Sequence, residues 1–85
     1  MQLIIGENYF VRTSAGIDYV GRLEEIDGPH TITLSECSWV ANTGRFHEFI
    51  AKGRAANMEI EPIGDFMVHY SGIAPWPHKL FTEAV

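Results

Sequence analysis

The residues best suited to chemistry lie in one block, from Trp39 to His47. Its order is an aromatic strand end, a polar segment that can cap a helix, and a helix start. Free N–H groups at a helix start attract anions, the Arg45 guanidinium can bind two phosphate oxygens, and the Trp39 indole can stack on a nucleobase. The block predicts a binding site for a small anion, formed by Trp39, Asn42, Thr43, Arg45, Phe46 and His47.

The same block also has a purely structural interpretation. In that interpretation Trp39 and Phe46 belong to the core, Asn42 or Thr43 caps the helix, and Gly44 eases the turn. The residue types favour neither interpretation strongly, so both stay open on the sequence alone.

Two further residues, Arg12 and Tyr70, complete the predicted ligand site. Arg12 and Arg22 lie on neighbouring predicted strands and could converge with Arg45 in a multimer. The alternative is that these arginines lie on the surface or pair with carboxylates such as Glu24 and Glu25. Tyr70 belongs, with His69, Trp76 and His78, to an aromatic, imidazole-rich C-terminal stretch that could bind a ligand, plug a barrel or bind a neighbouring subunit.

Catalysis is not predicted. The four histidines never occur at the i, i+4 spacing of a helical zinc-binding pair, so no metal site is expected. Cys37 next to Ser38 is the minimum for a nucleophile, but a buried strand cysteine is the favoured interpretation. No glycine-rich phosphate loop and no helical carboxylate pair is present. We therefore expect a protein without enzymatic activity and without a cofactor.

Length and charge bound the possible partners. A chain of 85 residues with 46% hydrophobic residues is expected to fold as one domain, residues 1–85, and its small core favours homo-oligomerisation. The net charge of −5 argues against nonspecific nucleic-acid binding. One cysteine fits a reducing cytoplasm, and no stretch is apolar enough to span a membrane.

The elements that must position the site are mostly strands. Alternation and β-branched content predict strands at 9–13, 17–24 and 30–34, the last continuing through Val40 with a bend near Ser35 and Glu36. A helix of about ten residues is expected to run from Asn42 or Thr43 to Lys52, before Gly53. Strands at 58–63 and 66–73 follow, separated by a Gly64-Asp65 turn, with an extended tail at 74–78.

The predicted fold class is mainly β (α+β). It is a small bent five-stranded antiparallel sheet, or a partly open barrel, with one short helix inserted after strand 3. The order of parts resembles Sm-like and SH3-like small barrels at 9–13, Gly16, 19–23, 26–27, 32–34 and 67–73. The chain departs from the Sm-like family in its central helix, and that family's RNA-binding residues are not matched, so no RNA activity is expected.

A tighter resemblance is to small uncharacterised proteins of tailed bacteriophages. It covers 8–13, the block Ser-Trp-Val-Ala-Asn-Thr-Gly-Arg-Phe at 38–46, and Pro-Trp-Pro-His at 75–78. The resemblance implies a phage origin. Accessory phage proteins of this size commonly bind and neutralise host factors, including nucleotide signals of bacterial immunity.

Three functions follow as alternatives. The first is a phage-encoded, homo-oligomeric binding protein that sequesters a small anionic, nucleotide-type ligand or host immune signal in the cytoplasm of the infected bacterium. The second is an inhibitor that docks on a basic host protein through its acidic residues, Glu24, Glu25, Asp27, Glu59 and Glu61. The third is a small structural or assembly protein of the virion.

Overall fold

The computed structural model describes all residues, 1–85. One antiparallel sheet contains five strands: β1 (Asn8–Arg12), β2 (Asp18–Gly28), β3 (Thr31–Ala41), β4 (Glu59–His69) and β5 (Gly72–Pro75). The single helix, α1 (Phe46–Lys52), lies between β3 and β4. The predicted fold class is confirmed: the protein is mainly β, with a short helix after the third strand.

Chain connectivity forces the sheet to curl. The strand order is β4-β3-β2-β1-β5, so consecutive strands β4 and β5 form opposite edges. In a flat sheet those edges would lie roughly 19 Å apart, whereas the three peptide steps from His69 to Gly72 span at most about 11 Å. The connection is held by backbone bonds from Tyr70 N–H to the His30 carbonyl (2.9 Å) and from Ser71 N–H to the Arg12 carbonyl (2.8 Å).

The bend falls where the sequence analysis expected it, and a predicted turn proves to be part of it. Pairing between β3 and β4 is irregular between Leu34 and Cys37, where Glu36 has φ of 48°. Gly64, with φ of 84°, lies in the same irregular region of β4. The prediction of a turn at Gly64-Asp65 was wrong, because the glycine's positive φ serves a bulge inside one continuous strand.

The two faces of the sheet bury separate apolar clusters, because side chains alternate along a strand. The concave cluster contains Tyr9, Val11, Leu23, Ile32, Leu34, Cys37 and Val68. The second cluster contains Phe10, Val20, Val40, Phe49, Ile60 and Trp76, and is covered by α1 and the C-terminal tail. The chain has no helix that is long and apolar enough to cross a membrane.

Candidate anion-binding site

A pocket of about 480 Å³ lies at one end of the second cluster. Its lining comes from three consecutive parts of the chain: the β3–α1 loop (43–45), the helix (Glu48, Phe49 and Lys52) and the α1–β4 loop (54–56). The shape of the pocket therefore depends on the two loops that flank α1 and on how the helix packs against the sheet.

Two residues with positive φ shape the entry to the helix. Asn42 has φ of 55° and Gly44 has φ of 69°, so the chain turns twice after β3. Arg45, with extended backbone, is the N-cap residue, and its carbonyl accepts the Phe49 N–H at 2.9 Å. The predicted cap by Asn42 or Thr43 was wrong: the Asn42 amide donates to the Glu59 carboxylate, and no side chain caps the helix.

Phe49 anchors the helix to the sheet. It is the buried residue of α1, 1% exposed, and its ring lies 5.9 Å from the Phe10 ring and 5.0 Å from the Trp76 ring. Seven residues are too few for a helix to be stable alone, so this packing holds it in place. Phe49 is also one of the residues that line the pocket.

A glycine and a histidine fix the other end of the helix. Gly53 has φ of 77°, and its N–H donates to the Phe49 carbonyl at 2.7 Å. His78 Nε2 lies 2.7 Å from the Ile50 carbonyl, which can only accept, so this nitrogen carries the proton. The His78 imidazole packs so closely that a Cβ on Gly53 would lie 2.7 Å from its Cγ. Lys52 and Arg54 flank this glycine and both line the pocket.

The pocket concentrates unpaired positive charge. The chain has six lysines and arginines, and three of them, Arg45, Lys52 and Arg54, line this pocket. None of the three is in a salt bridge, and Glu48 is the only carboxylate in the lining. A site with three free cations and one carboxylate attracts an anion even though the whole chain is negative.

The two arginines of the sheet strands are already paired. Arg12 binds the Asp18 carboxylate through two hydrogen bonds of 2.7 and 2.8 Å, and this hydrogen-bonded partner raises the pKa of Arg12. Arg22 pairs with Glu24 at 3.2 Å and with Glu36 at 2.5 Å. Arg12 and Arg22 thus follow the alternative in which such arginines pair with carboxylates.

The structure brings together only some of the predicted site residues. Thr43 and Arg45 line the pocket. Asn42 is next to it and is engaged with Glu59. Phe46 lies outside the lining, with its ring 4.9 Å from Phe10 and 4.7 Å below the Arg12 guanidinium.

Trp39, His47 and Tyr70 lie elsewhere. Val40 belongs to the cluster beneath the helix, so its neighbour Trp39 points to the opposite face of the sheet. His47 is exposed on α1 and does not line the pocket. Tyr70 packs against the concave cluster, with its ring 5.7 Å from that of His30.

Sequence reasoning missed Lys52 and Arg54. The sequence analysis used Lys52 only as the last residue of the helix and assigned no role to Arg54. The sequence pattern that could have indicated them is their position on either side of Gly53. A glycine with positive φ at a helix end reverses the chain direction, so both flanking side chains can face the same pocket. Cys37 agrees with the structural interpretation: it is fully buried, and burial raises its pKa to about 12.

Comparison with protein-family models, curated proteins and solved structures finds no match to this chain. The resemblances to Sm-like barrels and to phage proteins therefore stay predictions from the sequence.

Proposed function

We propose that this protein binds a small phosphate-bearing anion of the nucleotide type and holds it without turnover. The observation that carries the proposal is that half of the chain's basic side chains, Arg45, Lys52 and Arg54, line one pocket and are in no ion pair. Unpaired cations held in one hollow repel one another, so an anion that binds among them relieves that repulsion.

The lining is suited to phosphate. A guanidinium presents a planar fork of N–H donors that matches two phosphate oxygens, and the pocket contains two, those of Arg45 and Arg54. Lys52 adds a compact charge with rotatable donors. A volume of about 480 Å³ falls within the range of small-molecule sites.

Glu48 limits the class of ligand. A carboxylate among three cations disfavours a ligand that is anionic throughout, and it can accept a hydrogen bond from a hydroxyl or amino group. A nucleotide carries both an anionic phosphate and sugar hydroxyls. The single carboxylate thus favours a nucleotide-type anion over a simple inorganic one.

Base stacking contributes little to this proposal. Phe49 is almost fully buried, and Trp39 lies on the other face of the sheet. The pocket offers charge and hydrogen bonds, so we expect similar affinity for nucleotides that differ only in the base.

Binding without turnover is supported by the lining. It contains no histidine, no cysteine and no second carboxylate. Sequestration of a nucleotide signal of host immunity in the infected cytoplasm, by a homo-oligomer of phage origin, extends the proposal. That extension depends on the resemblance to phage proteins.

The test is thermal unfolding of the protein with inorganic pyrophosphate, AMP or a cyclic dinucleotide. A ligand present at a hundred times its dissociation constant stabilises the folded state by about 2.7 kcal/mol, which raises the melting temperature of so small a domain by on the order of 10 °C. The triple variant Arg45→Gln, Lys52→Gln, Arg54→Gln should lose that shift. Lys79→Gln, a charge change outside the pocket, should keep it. No shift with any probe, or a full shift in the triple variant, refutes the proposal.

A further inference from the structure

Trp39 is a large aromatic residue that the fold does not use for its core. It is half-buried and belongs to neither apolar cluster. Its indole N–H has no partner in the protein, whereas the other tryptophan, Trp76, is buried and donates to the Lys79 carbonyl at 3.2 Å. A tryptophan left outside the core with a free donor is typical of a contact surface.

Its neighbours form an apolar centre with an acidic border. Tyr19 and Glu61 are the register partners of Trp39 on β2 and β4, so the three side chains share one face of the sheet. Glu59, the partner of Ala41, lies on the same face two residues along β4. We call this surface, formed by Tyr19, Trp39, Glu59 and Glu61, the Trp39 face.

We propose that the Trp39 face docks a segment of a partner protein that carries arginine or lysine. Glu59 and Glu61 are exposed and take part in no salt bridge. Glu59 accepts a hydrogen bond from the neutral Asn42 amide, which does not cancel its charge, so both charges are available to a basic partner. An arginine placed on the Trp39 indole gains a cation–π contact and can also donate to Glu61. The acidic residues and the aromatic centre therefore both favour a partner segment that carries arginine or lysine.

Addition of a strand to the free edge of β4 is disfavoured beside this face. Val85 already pairs with Ile60 there through two reciprocal backbone bonds of 3.0 Å. Pro62 has no N–H to donate, and the bulge at Gly64 interrupts the regular edge. The docking contact must therefore be made by the side chains of the face.

A second copy of the chain is a poorer occupant. A symmetric dimer would bring this face against itself and place Glu59 and Glu61 near their own copies, which is repulsive. The anion pocket lies on the helix side of the sheet, so the docking surface and the pocket are separate sites. The two binding proposals can therefore be tested independently.

The experiment is isothermal titration calorimetry with a nine-residue peptide of alternating arginine and leucine, and with its glutamate–leucine counterpart as the charge control. The wild-type protein should bind the basic peptide and not the acidic one. Trp39→Ala should weaken binding at least tenfold, which is typical of an interface hot spot. Glu61→Lys should abolish binding, and Glu83→Gln, an exposed carboxylate on the C-terminal tail, should leave it unchanged.

Three results would overturn the proposal. They are no binding of the basic peptide, equal binding by the Glu61→Lys variant, or Trp39-dependent self-association in sedimentation velocity, which would identify a second copy as the occupant. Circular dichroism establishes that each variant is folded, and Glu61→Lys keeps the test valid if Trp39→Ala does not fold. AMP binding by the same variants separates this surface from the anion pocket.

Discussion

The contact between Gly53 and His78 places two of the pocket's cations, so its removal should be measurable. Changing Gly53 to alanine puts a Cβ at positive φ, which costs about 1 to 2 kcal/mol. The new atom would also lie 2.7 Å from Cγ and 2.8 Å from Cδ2 of His78. Overpacking of that kind costs about 1 to 3 kcal/mol more. We predict that Gly53→Ala lowers the free energy of unfolding by about 2 to 5 kcal/mol.

Two further variants separate the backbone strain from the clash. Gly16 has φ of 80°, and a Cβ added to it would meet no atom within 4 Å, so Gly16→Ala should cost only the strain, about 1 to 2 kcal/mol. In a His78→Ala background the clash is absent, and Gly53→Ala should then cost the same as Gly16→Ala. His78→Ala has its own cost of about 1 kcal/mol from the lost hydrogen bond to Ile50.

The assay is urea unfolding followed by far-UV circular dichroism at pH 7. The two single variants, the double variant and Gly16→Ala form a double-mutant cycle with its control. If Gly53→Ala cost no more than Gly16→Ala in the wild-type background, the close packing of His78 on the helix end would be refuted.

Three further outcomes are expected. Burial raises the pKa of Cys37 from 9.0 to about 12, so above pH 9 the unfolded thiol releases its proton while the folded one keeps it. Stability should fall between pH 9 and 12, by up to about 1.4 kcal/mol per pH unit from this group. Urea unfolding of Cys37→Ala should lack that component, and an unchanged slope would contradict it. Arg12→Met leaves the Asp18 carboxylate, 7% exposed, without its two hydrogen bonds and should cost about 2 to 3 kcal/mol in urea unfolding, partly recovered by adding Asp18→Asn. No recovery in the double variant would count against the pairing. The Ser35 hydroxyl, and then Arg22, lowers the pKa of Glu24, so any stability from this group is present above its ordinary value of 4.5 and lost as pH falls. NMR titration of Ser35→Ala should show that pKa moving up, and an unmoved pKa would exclude the hydroxyl as the main cause.

Local patterns located the first three strands because the causes of those strands are local. Alternation at 30–34 predicted the third strand, which begins at Thr31, whereas the second strand, expected at 17–24, continues to Gly28. The turn predicted at Gly64 failed for a physical reason. A glycine at positive φ suits both a turn and a bulge, and the choice depends on the bend of β3 near Glu36, which is remote in sequence.

The site was only partly predictable, because it depends on which face each residue occupies. Arg45 was identified from its type and its place before the helix, and it does line the pocket. Trp39 is six residues earlier, but its side chain lies on the opposite face of β3. Two residues with positive φ after β3, Asn42 and Gly44, turn the chain away from it. Lys52 and Arg54 join Arg45 only through tertiary packing, since His78 holds the helix end from the far terminus.

The most direct test of an anion pocket at the ends of α1 is a two-dimensional ¹H–¹⁵N NMR titration with AMP, which carries both a phosphate and sugar hydroxyls. The amide signals of 43–45 and 52–56 should shift together in a saturable way, and those of Trp39 and Tyr19 on the other face should stay in place. Saturable shifts centred on the Trp39 face, or no saturable shift at all, would contradict the pocket.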